Sequence, residues 1–341
     1  MTESQITTAI KAVSRGEELE PLTLQAAFDT ILKGEAAPEE IGALLTGLAV
    51  RGETSAELIA GARAMRSAAR RIHIDGPLLD TCGTGGLTWT SLNTSTAAAI
   101  VIAAAGGRVA KHGNRSVPPK TGSADVLEAL GVNIDIDEQT FRSCLQGAGV
   151  AFMFARSHHS AMRHVAPIRA RLGIRTIFNL LGPLTNPAGA QYQVLGVFAP
   201  QWVRPMAESL RALGVERALV VHGVDGIDEV SISGETRVAE IGHGEINEYM
   251  LTPAMLGLRP SPLSALAGSS PTHNAEAILD LFDGRTGPFR DIVLANAGAG
   301  LYVLGEVESL VNGVALAAEA IDTGTARQTL DTLAQLSKRR P

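Results

Sequence analysis

The sequence predicts an α/β protein with a small N-terminal all-helical lobe and a larger α/β lobe, whose mainly parallel sheet is covered by helices. Three observations support this fold class. Residues 1–72 carry only helical apolar periodicity. From residue 76 onward, short apolar runs alternate with helical segments, as in a parallel sheet covered on both faces. The chain of 341 residues is also long for a single hydrophobic core. The predicted division is 1–75 and 76–341.

Capping residues predict three helices in the first lobe. One begins at a Thr23 cap and ends at Gly34, and the next has Pro38 in its first turn. The third begins at the capping box of Thr54 and continues through Ile72. Three apolar stripes in so short a lobe need another surface to cover them, and a second subunit would supply one.

The larger lobe shows a regular alternation of strands and helices. The predicted strands are 78–81, 109–112, 150–155, 192–199, 217–222 and 228–232. The predicted helices between them are at about 94–105, 123–130, 138–147 and 201–213. A basic helix and a Gly/Pro-marked segment at about 157–190 interrupt this alternation and predict a crossover that returns to the helical lobe.

Two loops of the larger lobe carry residues typical of a phosphate site. Glycines after the first strand let the backbone approach a ligand, and the helix that follows directs free N–H groups and its positive dipole end at the same place. The next strand leads into a cationic, amide-rich segment. The residues are Gly83, Gly85 and Gly86 in the loop, Asn93, Thr94, Ser95 and Thr96 at the helix start, and Lys111, His112, Asn114 and Arg115 after the second strand.

Two further features indicate chemistry. Asp228 and Glu229 follow a predicted strand, and adjacent carboxylates suit Mg²⁺ with its preference for oxygen ligands; exposed loop acids are the equal alternative. Arg169 follows a proline that can start a helix, and a guanidinium there can pair with a carboxylate or remain a surface charge. No serine, cysteine or lysine lies in a recognisable nucleophile motif.

Composition excludes several classes of protein. The net charge of −6 argues against a general nucleic-acid binder. The apolar run at 97–107 is too short to span a bilayer, and the N-terminus lacks the apolar segment of a signal peptide. Cys82 and Cys144 have no metal-like spacing, as expected in a reducing, cytoplasmic compartment.

Several motifs together resemble the anthranilate phosphoribosyltransferase family of the tryptophan pathway. They are GTGG at 83–86, the N-T-S-T cluster at 93–96, KHGNRSV at 111–117, RHVAPIRARLGIRTIFNLLGPLTNP at 163–187 and VVHGVDGIDEVS at 220–231. The resemblance covers essentially the whole chain and extends into NAEAILDLFDG and RDIVLANAGAGLYVLG. It implies phosphoribosyl transfer from phosphoribosyl pyrophosphate, the donor, to anthranilate, the acceptor, with Mg²⁺ and without a covalent nucleophile. It also implies a homodimer paired through the helical lobe.

The resemblance also implies a role for individual residues. Those at the anthranilate are Gly83, His112, Asn114, His159 and Arg169. Those at the donor are Gly83, Gly86, Leu87, Ser91, Asn93, Thr94, Ser95, Thr96, Lys111, His112, Gly113, Asn114, Arg115, Ser116, Val117, Pro118, Pro119 and Ser123. Those at the magnesium are Ser95, Asp228 and Glu229.

The sequence departs from the family pattern at the donor loops. Leu87 replaces the acid of GTGGD, and Pro118-Pro119 replace paired serines, which removes hydroxyl and N–H donors and predicts weaker donor binding. Two alternatives follow. GTGGL is nearer to the apolar loop of pyrimidine nucleoside phosphorylases, and the lost donors would suit a non-catalytic relative that binds nucleic acid. KHGNR, Asp228-Glu229 and Arg169 favour the phosphoribosyltransferase.

Overall fold

One seven-stranded sheet and its covering helices make up the computed structural model, which describes residues 4–85, 89–116 and 121–338. The strands are β1 Leu79–Gly83, β2 Val109–Gly113, β3 Val150–Phe154, β4 Tyr192–Gly196, β5 Arg217–Gly223, β6 Thr236–Gly242 and β7 Glu245–Leu251. The helices are α1 Gln5–Ser14, α2 Pro21–Lys33, α3 Pro38–Arg51, α4 Ser55–Ala68, α5 Thr94–Ala104, α6 Ser123–Ala129, α7 Glu138–Ala148, α8 Ala155–His158, α9 Ala166–Leu172, α10 Ile177–Leu181, α11 Val203–Ala212, α12 Pro271–Phe282, α13 Pro288–Leu304, α14 Leu310–Asp322 and α15 Thr325–Ser337. Short 3₁₀ turns lie at Ser160–His164, Gly182–Leu184, Pro200–Trp202, Pro253–Leu256 and Leu263–Leu266.

The strand order is β3-β2-β1-β4-β5-β6-β7. The first five strands in this order are parallel to their neighbours, and β6 and β7 add an antiparallel edge. The order runs outward in both directions from the β1–β4 pair, so this pair is a topological switch point. Ligands of such sheets bind beyond the carboxyl ends of the strands at the switch point. The predicted fold class is confirmed.

Caps define the helical lobe, with two corrections to the predicted ends. The Thr54 capping box is present, and α2 ends at Gly34, whose φ is 78°. However, α2 begins at Pro21 and not after a Thr23 cap, because the fixed φ of proline suits the first helical position. The last helix of the lobe ends at Ala68, so Ile72 lies outside it and packs into the core of the sheet.

The helical lobe shares a hydrophobic core with one face of the sheet. Leu24, Leu44 and Leu58 are fully buried within the chain, and the cluster that contains them also includes Leu195 of β4 and Val220 of β5. Along these strands, the residues that alternate with Leu195 and Val220 point to the other face of the sheet. They belong to a second hydrophobic core, which α5, α13, α14 and α15 cover. The further surface that the three stripes need is therefore the sheet of the same chain, and burying them does not require a second subunit.

Residues 155–191 connect β3 with β4 by way of the helical lobe, where α9 packs against α3, and α10 packs against α3 and α4. The predicted strand at 228–232 is wrong, because residues 224–235 form a loop and the next strands are β6 and β7. Side-chain bonds to Asp225 from the hydroxyls of Ser231 and Ser233 hold this loop in place of a strand ladder. Across the described ranges, no helix combines the length and apolar character that crossing a bilayer requires.

Candidate active site

A polar cavity of about 340 Å³ opens beyond the carboxyl ends of β1 and β2. It lies between the loop after β1, the N-terminus of α5, the segment after β2 and the loop after β5. The predicted residues that line it are Gly83, Ser91, Asn93, Thr94, Ser95, Thr96, Lys111, His112, Gly113, Asn114, Arg115, Ser116, Ser123, Asp228 and Glu229. Its volume is in the range of small-molecule sites. The structure thus brings together the predicted donor and metal residues that it describes.

Gly86, Leu87, Val117, Pro118 and Pro119 lie outside the described residues. The wall also includes residues that sequence reasoning did not assign to the site. They are Cys82, Thr84, Trp89, Thr90, Leu92, Thr121 and Gly122, whereas Gly85, which also lines the wall, was predicted as part of the glycine loop. Most of them neighbour predicted residues in the sequence, so a wider reading of the same two loops would have included them.

The glycines at the ends of β1 and β4 admit the acidic loop. The Gly85 N–H donates to Asp228 Oδ2 over 2.8 Å, and a Cβ on Gly83 would lie 2.5 Å from the same oxygen. A Cβ on Gly196 would overlap the backbone carbonyl of Asp228. Glycine is therefore required at both strand ends for close approach of the loop that carries Asp228 and Glu229.

The N-terminus of α5 faces the cavity, and the first N–H of the helix, that of Thr94, already donates to the Leu92 carbonyl at 3.0 Å. Asn93 is the cap residue, but its side chain makes no capping bond to the helix. The Ser95 N–H lies close enough to the Glu229 carboxylate to oppose the rise of its pKa. Thr96 Oγ1 is buried with no hydrogen-bond partner among the described residues. The positive end of the helix dipole and the hydroxyls of Thr94 and Ser95, which line the cavity, make this end suitable for an anion.

Lys111 is a buried cation in the wall of the cavity. Its Nζ donates to the Thr81 carbonyl and, over 3.2 Å, to Ser95 Oγ. Asp80, also buried, accepts from the His112 N–H at 3.1 Å and from Asn186 Nδ2 at 2.8 Å. Burial lowers the pKa of Lys111 and raises that of Asp80, while the attraction between the two groups opposes both shifts. This network fixes the end of β2 beside β1.

The paired acids have the electrostatics of a cation site. Burial, and then repulsion by Asp228, raise the pKa of Glu229 to about 8. Burial also raises the pKa of Asp228, although the Gly85 N–H bond opposes this change. In the described chain, no group of three or more His, Cys, Asp or Glu side chains has metal-binding geometry. Two close acids beside the Ser95 hydroxyl fit an oxygen-preferring ion that keeps positions for other oxygen ligands.

Arg115 and Asn114 are partly engaged with the protein. The Arg115 guanidinium bonds to Glu128 over 2.7 Å and to Asp125 over 3.1 Å. Asn114 Oδ1 accepts the Arg115 N–H at 2.8 Å. The backbone N–H of Ser116 also donates to Asp125. The acids of α6 therefore shape the segment after β2 and take up much of the positive charge that sequence reasoning assigned to the donor.

Arg169, on α9, does not line the cavity. Its guanidinium lies 5.6 Å from the ring centroid of Phe178 and 3.3 Å from Asn179 Oδ1. Within the described ranges no carboxylate forms an ion pair with it, and burial lowers its pKa. A half-buried guanidinium of this kind is suited to an incoming carboxylate.

His112 and His159 face each other across the start of the crossover. Their ring centroids are 5.2 Å apart, and the Nε2 of each is buried with no partner among the described residues. Burial, and then its neighbouring histidines, lower the pKa of His112 well below its usual value, and burial with His158 lowers that of His159 to about 4. Both rings are therefore neutral near pH 7 and can serve as neutral hydrogen-bonding groups.

Sequence reasoning missed two buried asparagines that bond to the walls of the site, Asn274 on α12 and Asn296 on α13. The available signal was an amide within an otherwise apolar helical stripe, since a buried amide needs partners beyond its own helix.

Two family models and known proteins match this chain over nearly its whole length. Residues 7–69 match the family described as glycosyl transferase family, helical bundle domain, and residues 75–327 match glycosyl transferase family, a/b domain. The chain is 65% identical to the anthranilate phosphoribosyltransferase of Hyphomonas neptunium over 99% of both chains.

Solved structures agree with this similarity. The anthranilate phosphoribosyltransferase of Thermus thermophilus is 46% identical, with a TM-score of 0.93 over 99% of this chain and 100% of that one. The enzyme of Saccharomyces cerevisiae in complex with PRPP and Mg is 25% identical, with a TM-score of 0.90 over 98% of both chains.

Proposed function

This chain belongs to the anthranilate phosphoribosyltransferase family, and we propose that it transfers the 5-phosphoribosyl group of 5-phosphoribosyl 1-diphosphate to the amine of anthranilate. The products are N-(5-phosphoribosyl)anthranilate and diphosphate, and the reaction is a step of tryptophan biosynthesis. The observation that carries the proposal is the cavity in which the α5 N-terminus meets Lys111 on one side and Asp228 and Glu229 on another. A polyanion and its counter-ion fit there together.

The donor is proposed to lie along the α5 N-terminus and the segment after β2. The hydroxyls of Ser91, Thr94 and Ser95 donate to phosphate oxygens at the positive end of the helix dipole, and Lys111 supplies positive charge from the wall. In Saccharomyces cerevisiae, a related enzyme has been solved with PRPP and Mg. The cavity in this chain has the size and polarity for such a ligand.

Mg²⁺ fits the paired acids. Asp228, Glu229 and Ser95 are proposed to hold it, because two close carboxylates with a raised Glu229 pKa are relieved by a divalent cation. When bound, the ion neutralises charge on the diphosphate leaving group. Asp228→Asn combined with Glu229→Gln is expected to reduce turnover, weaken its dependence on Mg²⁺ and leave anthranilate binding largely intact, as measured by steady-state kinetics over a series of Mg²⁺ concentrations.

Anthranilate is proposed to bind beside the crossover. Its carboxylate pairs with Arg169, and its ring and amine are placed near Asn114, Gly83, His112 and His159. The neutral imidazoles orient the acceptor without adding a competing positive charge. Arg169 does not line the donor cavity, so this arrangement requires that α9 approach the α/β lobe when both substrates are bound.

Charge development explains why no protein nucleophile is needed. Breaking the bond between C1 and the diphosphate oxygen builds positive charge on the ribose and negative charge on the leaving group. The α5 N-terminus and Lys111 stabilise the leaving group, and a positioned amine attacks C1. Exclusion of water matters because water would compete with the amine for the activated ribose.

One assay tests the proposed reaction. Purified protein with 5-phosphoribosyl 1-diphosphate and Mg²⁺ is expected to consume anthranilate, followed by the loss of anthranilate fluorescence. Uridine or thymidine with phosphate serves as the control substrate pair. Nucleoside cleavage without anthranilate consumption would establish a phosphorylase and contradict the proposal, and salt-dependent DNA binding without either reaction would favour a nucleic-acid-binding relative.

We also propose a homodimer and a cytoplasmic location, without nucleic acid or membrane as a partner. The net charge of −6 and the two free thiols Cys82 and Cys144 support the location and the absence of nucleic acid. A boundary near residue 75 between the lobes is supported by the two family matches, which end and begin at 69 and 75.

A further inference from the structure

We propose that Asn274 and Asn296 are positioning residues with separate tasks: Asn274 holds the donor-binding loops and Asn296 holds the metal-binding loop. This inference rests on the proposed function for the identity of the ligands. Both residues come from C-terminal helices outside the cavity, and neither lines it. The two residues are 0% and 2% exposed.

Asn274 closes a ring of hydrogen bonds around the donor loops. Its Nδ2 donates to Asn93 Oδ1 at 2.8 Å, and Asn93 Nδ2 donates to the Thr121 carbonyl at 3.1 Å. Thr121 Oγ1 then donates to the Ser269 carbonyl at 2.6 Å, and the Ser269 N–H returns to Asn274 Oδ1 at 2.9 Å. A second N–H of Asn274 donates to the carbonyl of Ser91 at 3.1 Å.

This ring joins the two loops that face the donor. Asn93 begins α5, and Thr121 lies just before α6, so the ring sets the distance between the α5 N-terminus and the segment after β2. The 267–269 segment approaches closely at the same place, since the Gly268 N–H donates to the Thr90 carbonyl at 2.8 Å and a Cβ on Gly268 would overlap the Ser91 carbonyl. Asn93, which we predicted to bind the donor, therefore also joins the α5 N-terminus to the segment before α6.

Asn296 makes the corresponding contact with the acidic loop. Its Oδ1 accepts the Val230 N–H at 2.9 Å, and its Nδ2 donates to the Val230 carbonyl at 3.1 Å and to the Ile292 carbonyl at 2.9 Å. Val230 directly follows Glu229, so both backbone groups of the next residue are fixed to α13. The side of the loop that carries Asp228 and Glu229 is thereby anchored to the core.

Asparagine is suited to both places because its side chain donates and accepts at once. Each amide uses both N–H groups and its oxygen, so the buried polar groups are satisfied and the orientation of each side chain is determined. At metal sites, loss of the outer contacts that orient the ligands typically lowers metal affinity or activity by about 10- to 100-fold. We expect an effect of similar size on donor affinity when the contacts that hold the donor loops are lost. Each asparagine contacts only one wall of the cavity, so the two substitutions are expected to affect different ligands.

The test compares Asn274→Ala with Asn296→Ala in the full-length protein. Binding of 5-phosphoribosyl 1-diphosphate at saturating Mg²⁺ is measured by calorimetry, and binding of Mn²⁺ alone, without donor or diphosphate, by electron paramagnetic resonance. Asn274→Ala is expected to raise the donor Kd and KM by about 10-fold or more and to leave the Mn²⁺ Kd within about twofold. Asn296→Ala is expected to give the reverse pattern, with a higher Mg²⁺ requirement for turnover.

Ser337→Ala provides a matched control. Ser337 is 1% exposed, and its hydroxyl accepts the Asn133 N–H at 2.9 Å and donates to the Ala334 carbonyl at 3.0 Å, in a part of the fold that does not line the cavity. Its loss is expected to lower the melting temperature without changing the affinity for either ligand.

If an alanine variant fails to fold, Asn274→Asp and Asn296→Asp keep the side-chain size and the accepting oxygen, and the same separation is expected.

Equal changes of both Kd values in both asparagine variants, or no change in either, would overturn the inference. A wild-type protein that binds donor and Mn²⁺ but transfers nothing to anthranilate would contradict the proposed function instead. The separation between the two variants would still be decided by the binding measurements alone.

Discussion

At the scale of single residues, Arg169 gives the clearest prediction for the acceptor. Its guanidinium is half-buried over Phe178 and has no ion-pair partner in the described chain. Arg169→Ala is expected to raise the anthranilate KM by about 10- to 100-fold, because a hydrogen bond to a charged group contributes about 1.5–3 kcal/mol. Steady-state kinetics at saturating donor check this, with the exposed Arg171→Ala as the matched control. A fall in kcat with unchanged KM would contradict a ground-state contact.

His159 makes folding stability sensitive to acid. Burial, together with His158, holds its pKa at about 4, and His112 faces it at 5.2 Å. As the pH falls below about 6.5, His159 binds a proton in the unfolded chain but stays neutral in the folded chain. The free energy of unfolding therefore decreases until about pH 4. At pH 5 the resulting loss of stability is about 1–2 kcal/mol.

His159→Gln is therefore expected to lose less stability than the wild type between pH 7.5 and pH 5. Urea unfolding at the two pH values measures the difference. His73→Gln removes an imidazole whose side chain is 92% exposed and should reproduce the wild-type change. An identical pH dependence in all three proteins would exclude His159 as the source.

At the scale of elements, the acidic loop depends on the glycine that ends β4. A side chain on Gly196 would overlap the carbonyl of Asp228, and neither backbone segment can yield without moving a strand. Gly196→Ala is expected to lower the free energy of unfolding by about 3 kcal/mol and to abolish most of the activity. Gly234→Ala lies in the same loop with open space around its Cβ, and should stay within about 0.5 kcal/mol of the wild type. Urea unfolding and the anthranilate assay separate the two.

The same loop shows where prediction from sequence ends. The starts of α3 and α4 were predicted correctly because proline in the first turn and a capping box are local signals. The apolar alternation at 228–232 also resembled a strand, but Asp225 and its serine partners hold the chain as a loop. No sequence pattern reports such partners. The hairpin of β6 and β7 was missed although its two-residue turn, His243-Gly244, is local. Most residues of β7 are not buried, so the strand lacks the continuous apolar run by which the other strands were recognised.

For the site, as for the fold, local sequence signals were predicted correctly and contacts set by tertiary packing were not. Residues that line the cavity lie in two consecutive loops and one acidic pair, and these were predicted by residue type and resemblance. The positions of Arg169 outside the cavity and of Arg115 in its ion pairs depend on tertiary packing. So do the roles of Asn274 and Asn296, which are 181 and 66 residues from their partners along the chain.

At the scale of the whole molecule, the shared core limits how the lobes can move. The helical lobe and one face of the sheet belong to one hydrophobic cluster, so α9 and Arg169 cannot swing freely against the donor cavity. Closure around the two substrates is then a small displacement of packed helices. This favours adjustment of the crossover at residues 155–191 over rotation of an independent domain.

Dimer formation is the prediction that belongs to this scale. The three stripes are buried within one chain and no longer argue for a partner, yet Leu22 and Val50 of the helical lobe remain 81% and 83% exposed. Exposed large apolar side chains on one lobe are suited to an isologous contact, in which the same residues of two copies are covered. Light scattering at micromolar concentration is expected to give twice the chain mass of 35.6 kDa.

Leu22→Asp combined with Val50→Asp is expected to reduce that mass to one chain, because each charge would be buried against its own copy. Val311→Asp, at a position 45% exposed in the other lobe, is the matched control and should remain dimeric. A wild-type protein that stays monomeric at full activity would contradict the dimer. A double variant that stays dimeric would instead place the interface elsewhere on the molecule, away from the lobe on which the resemblance locates it.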